Sequence, residues 1–142
     1  MNLEDALYNH LSAHTGLAAL VGDRIYPDDL PLQPVYPAVV FEMDSGERYE
    51  AMGKRPGIAY PHYTFYCWAL LKSQAVAVAA QVTAALDYFW GTMGTLGALP
   101  GLEIQFAKVE DEYDLDPDKL QIGKAATKQY CRVVKVIINH RE

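Results

Sequence analysis

The sequence predicts an α+β domain. It reads as a mostly antiparallel sheet of about four to five strands, with one long helix over 73–90 and an N-terminal helix over 2–14 packed on it. Three observations carry that reading. Ala75, Val78, Ala79, Val82, Ala85, Leu86 and Phe89 recur at the three-and-four spacing of one helix side. Ala38 to Met43 and Gln129 to Asn139 alternate with the period of two that marks strands. Between them lies Tyr63 to Trp68, an aromatic-rich run suited to a central strand partly covered on both sides.

In chain order, Leu3, Ala6, Leu7, Leu11 and His14 share one side of a short helix whose Glu4 and Asp5 suit the positive end of its dipole. Gly16 is expected to break it, Leu17 to Val21 to add a further turn, and Gly22–Asp23 to turn the chain into Ile25–Tyr26. Pro27, Pro31, Pro34 and Pro37 then forbid a regular ladder, so this segment is an extended connection along a surface. In the first strand Val39, Phe41 and Met43 oppose Val40, Glu42 and Asp44, and Gly46 ends it. Glu47 to Tyr60, with Lys54 and Arg55 at its tip, reads as a loop joining two antiparallel strands. Ser73 stands where an N-cap belongs and Gly91 where a left-handed residue leads out of the long helix. The other side of that helix, with Val76, Ala77, Ala80 and Ala84, fits either a second covering surface or solvent that tolerates alanine. Gly91 to Gly101 reads as a linker, and Leu102, Ile104 and Phe106 as one side of a strand. Glu110 to Asp118 reads as a solvated acidic loop. In the last strand Tyr130, Arg132, Val134, Val136 and Ile138 share one side, and Cys131, Val133, Lys135 and Ile137 the other.

A chain of 142 residues can bury roughly two thirds of its unfolded surface and hold one core without metal or disulfide. Its longest aliphatic run, Ala75 to Ala80, is far below the roughly 20 residues that span a bilayer, and Glu4 and Asp5 stand where an export signal has basic residues. No membrane or export role is expected. Cys67 and Cys131 fall within strand-like apolar runs, where reduced, buried thiols are usual. A net charge of −6, with no basic stripe, argues against a duplex-binding surface.

The chemical motifs are incomplete. His10 and His14 have the spacing that presents two imidazoles to a metal, but no third ligand accompanies them, so they read as a helix-surface pair. Asp114, Asp116 and Asp118 imitate the opening of a calcium loop, yet Lys119 replaces its turning glycine and Ala125 its closing glutamate. The glycines at 91–101 lack the Gly-Lys-Ser/Thr triplet of a phosphate loop. Ser12, Ser45 and Ser73 lie in a helix, a turn and a cap, and none sits on a nucleophile elbow. No catalytic, metal or cofactor residue is assigned.

The order of these pieces is more informative than any one of them. Gly-Asp-Arg-Ile-Tyr-Pro at 22–27, Tyr-Pro-Ala-Val-Val-Phe at 36–41, Ser-Gly-Glu at 45–47, Cys-Trp at 67–68, the alanine-rich helix and Tyr-Cys-Arg-Val-Val at 130–134 together resemble the tail-completion, or tail-terminator, proteins of long-tailed bacteriophages and prophages. The resemblance covers nearly the whole chain. It departs from the family pattern in a longer Gly91–Gly101 link and a more acidic Glu110–Asp118 segment.

The resemblance implies a structural virion protein without an active site. Such proteins assemble in the host cytoplasm as a ring, usually of six subunits, at the head-proximal end of the tail. The ring caps the tail-tube protein and meets the head-completion, or stopper, protein. A ring needs a head-to-tail contact between two different patches. Lys54 and Arg55 facing Glu110, Asp111 and Glu112 of the next subunit form the expected pair, since opposite rim charges guide register. DNA must pass through such a ring without specific binding, and a lumen lined by Asp114, Asp116 and Asp118 would repel its phosphates. Two other classes remain open to the sequence. One is a neck, head-closure or tail-tube component of the same virion. The other is a small cytosolic enzyme or ligand-binding module, with His62, Tyr63, Tyr66 and Trp68 around a pocket.

Overall fold

The computed structural model describes residues 2–46, 58–95, 101–115 and 129–141. In chain order these form α1 (Leu3–Ala13), α2 (Thr15–Val21), β1 (Ile25–Pro27), β2 (Ala38–Ser45), β3 (Ile58–Ala59), β4 (His62–Ala69), α3 (Lys72–Leu86), β5 (Phe89–Met93), β6 (Leu102–Asp114) and β7 (Tyr130–Arg141). The seven strands make one sheet, ordered β1-β2-β4-β7-β6-β5, with β3 paired to β7 off that path. Only β1·β2 is parallel. The α+β class and the antiparallel sheet agree with the sequence; the strand number does not. β1, β3 and β5 have 3, 2 and 5 residues, too short for alternation to declare them.

The helices lie against one face of this sheet. Asn2 caps α1, its side-chain oxygen accepting the Asp5 N–H at 2.8 Å. Leu3, Ala6, Leu7 and Leu11 of α1, Leu17 and Val21 of α2, and Val78, Val82 and Leu86 of α3 are buried together with Val39, Phe41, Tyr63, Phe65, Val134 and Val136 of the sheet. At about 25 cal/mol per Å² of apolar surface, this single cluster is the main source of stability. Among the described residues no helix is long and apolar enough to cross a membrane.

Local details differ from the sequence reading for identifiable reasons. Gly16 does not break a helix; it lies inside α2. The break falls two residues earlier at His14, whose extended backbone ends α1 while its ring nitrogen accepts the Leu17 N–H at 3.3 Å and caps α2. The long helix spans 72–86 rather than 73–90, with Leu71 as its N-cap and no side-chain cap bond, so Ser73 is an interior first-turn residue. At its other end Asp87 is the C-cap, and Tyr88, with φ 56°, makes the left-handed exit expected of Gly91. Phe89 and Trp90 thus leave the helix and enter β5, where a register shift separates Phe89 from Gly91. The segment around Glu110 is no loop either: β6 continues to Asp114, paired with β7. The outward side of α3, including Val76, Ala80 and Ala84, is exposed in this single chain.

Candidate functional site

Two bulges in β6 decide where its side chains point. The first, between Ile104 and Phe106, leaves Ile104 and Ala107 buried and turns Phe106 outward, breaking the expected shared side of Leu102, Ile104 and Phe106. The second, between Val109 and Asp111, sets Glu112 opposite Val134 and Asp114 opposite Arg132. Residues directly opposite share a face. Glu112 and Asp114 therefore stand on the helix side of the sheet, and Asp111 and Tyr113 on the open side.

The candidate acidic residues find partners within the chain. Arg132 donates to Glu112 from Nε at 3.1 Å and to Asp114 from Nη1 at 3.1 Å. Its guanidinium is held further protonated by the bonds to Asp114 first and Glu112 second. Lys72, at the start of α3, lies 3.5 Å from Asp114. Glu110 meets His62 across the sheet at 3.1 Å. Asp111 accepts the Glu112 N–H at 2.8 Å, a local turn at the bulge. The structure thus gathers Glu112 and Asp114 around one cation and sends Glu110 and Asp111 elsewhere. Lys54, Arg55, Asp116 and Asp118 lie outside the described residues.

The two histidines are occupied structurally. His10 Nε2 donates to the Ala85 carbonyl at 2.8 Å and its ring lies 4.5 Å from that of Phe89. Burial pushes its pKa below the ordinary 6.5, against the pull of the Ala85 carbonyl. His14 is committed to the α2 cap.

The proposed aromatic pocket does not assemble. Tyr63 points to the core, where burial raises its pKa to about 12, while His62, Tyr66 and Trp68 lie on the other face. Tyr66 donates its hydroxyl to Glu42 at 2.9 Å, and Thr64 donates to Asp44. Tyr66 and Trp68 border an open depression of about 160 Å³ with Asp28, Asp29, Leu30, Val40 and Glu42. A cleft of about 290 Å³ beside the start of α1 contains Glu4, Tyr63 and His140 but not His62. Cys67 and Cys131 are both free and buried, on opposite faces, and burial pushes both thiols up.

What the sequence did not reveal is the outer corner of β5 and β6. Trp90 is 76% exposed, Tyr88 65% and Phe106 37%, with the Tyr88 and Phe106 rings 6.0 Å apart. The expected helix over 73–90 had taken Trp90 as its last residue. In the proline-rich connection between β1 and β2, the strands at the other end of the strand order, Leu32 and Val35 are exposed, Leu32 with no cover at all. Large apolar side chains held in water on a rigid sheet mark interaction surfaces rather than reaction centres.

Comparison with known proteins agrees with this character. No curated protein matches the chain. Among solved structures it is similar to a chain of "Virion of native gene transfer agent (GTA) particle", with a TM-score of 0.60 and 20% identity, over 96% of this chain and 94% of that one. At that identity the likeness is one of fold. The family described as "Tail completion protein gp17" matches residues 5–121, most of the sequence. The chain therefore belongs to the tail completion protein gp17 family and is a structural protein of a phage-type virion.

Proposed function

We propose that the protein closes into a six-subunit ring that terminates the tail tube and joins it to the head-completion protein. The observation that carries this reading is the difference between the two ends of the sheet. Among the described residues β1 is the outer strand at one end and β5 at the other, each beside exposed apolar side chains. Two unlike patches on one subunit support a head-to-tail contact, which closes into a ring when its rotation allows. The reaction-free role fits side chains that are satisfied by each other, as Glu112 and Asp114 are by Arg132. A net charge of −6 suits a channel that DNA crosses without adhering.

Within that ring, Lys54 and Arg55 are proposed to approach Glu110, Asp111 and Glu112 of the neighbour, and Asp114, Asp116 and Asp118 to face the lumen. The first role asks Glu112 to share its carboxylate with Arg132 and Glu110 to share its own with His62, so Asp111 carries more of it. Light scattering of the chain mixed with tail-tube protein tests the assembly. A species of six times 15.8 kDa bound to tubes is expected. A persistent monomer in the mixture would overturn the ring.

A further inference from the structure

Resting on the ring reading, we infer which surfaces meet: the aromatic corner of β5 and β6 on one copy packs against the proline-rich connection after β1 on the next. The corner is built to be presented. Phe89 and Ala107 turn toward the core, so Tyr88, Trp90, Phe106 and Lys108 turn away from it. Tyr88 holds a left-handed backbone at φ 56°, a conformation that a bulky aromatic adopts at a cost, yet its ring is 65% exposed. The same left-handed exit from α3 sets the Tyr88 ring against Phe106 at the outer corner.

The partner surface is named by chemistry and by position. Leu32 and Val35 are 103% and 60% exposed, in the connection that joins β1 to β2, the two strands at the end of the strand order away from β5. Asp28 and Asp29 flank these apolar residues, while exposed Lys108 flanks the aromatic ones, giving opposite charges beside complementary apolar surfaces. The connection is anchored at its base, where Arg24 Nε donates to the Pro37 carbonyl at 2.9 Å and Asp28 N–H to the Phe41 carbonyl at 2.9 Å. Neither edge favours an added ladder. β1 has three residues and ends in Pro27, which lacks an N–H donor, and the irregular register at Gly91 twists β5. Side chains, with Trp90 as the anchor, carry the contact, and a tryptophan seated in such a patch is the usual centre of binding energy.

Two measurements on the full chain with tail-tube protein test this. Trp90→Ser and Leu32→Ser should each weaken assembly by about 30-fold or more, with thermal melting of the free chain unchanged because both residues are exposed. Lys108→Glu should weaken it less, and adding Asp28→Lys with Asp29→Lys should restore part of the loss. Mixing a Leu32→Cys protein with a Trp90→Cys protein should give a cross-linked pair under oxidation that neither gives alone, the native thiols being buried. If rings form and both serine variants assemble normally without cross-linking, the inference is overturned and the ring stands. If the unaltered chain never exceeds a monomer with tubes present, both fall.

Discussion

Strand β4 meets two environments at once. On one side Tyr63, Phe65 and Cys67 lie under three helices and are at most 1% exposed. On the other, Thr64 is also 1% exposed but Tyr66 and Trp68 are only half-buried, and Thr64 and Tyr66 hand their hydroxyl protons to carboxylates of β2. The same alternation produced both sides. Their difference shows that a period of two reveals that a strand has two faces, while the placement of helices decides which one joins the apolar core and which one holds polar bonds.

The largest test of this contrast is Phe65→Ala. It removes a fully buried ring that stacks 5.8 Å from Phe41. A loss of about 3–5 kcal/mol is expected, seen as a melting point lower by roughly 10–20 °C. A loss as small as that of an open-face variant would mean that the helices do not cover the sheet as described.

Its neighbour in sequence provides the smaller counterpart. Tyr66→Phe keeps the ring and deletes the bond to Glu42, whose carboxylate water can then reach. About 1 kcal/mol is expected by denaturant titration. A Phe65-sized loss would show the open face to be as tightly built as the covered one.

The smallest effect is a pH dependence confined to the covered side. His10 has its pKa lowered by burial, with nearby His14 pushing the same way. Above 6.5 both folded and unfolded chains keep it neutral; as pH falls through 6.5 the unfolded chain takes the proton first, so stability is lost until the lower folded pKa is reached. The melting point should therefore fall more between pH of about 7.5 and about 5.5 in the unaltered chain than in His10→Gln. Equal slopes would mean that the imidazole is no drier than at the surface.

Elements with many repeats of their period were legible in advance. Val78, Val82 and Leu86 marked the covered side of α3, and Val134, Val136 and Ile138 the inner side of β7. The family, too, was readable from the order of short segments, and it holds over residues 5–121. The candidate surface was not. Trp90 fell at the end of an expected helix and Phe106 in a strand pattern, and only a two-residue turn at Asp87–Tyr88 and a bulge at Ile104/Phe106 set their direction. Single-residue irregularities leave no periodic trace.

By itself the sequence determined class and main elements, because apolar spacing repeated over several turns or strand pairs admits few arrangements, and family, through the order of its short motifs. The tertiary structure alone decided that Glu112 and Asp114 share Arg132 and that Trp90 stands in water at a sheet edge. Those outcomes depend on strand register, and register is settled by which side chains must be buried across the whole sheet rather than by any local segment.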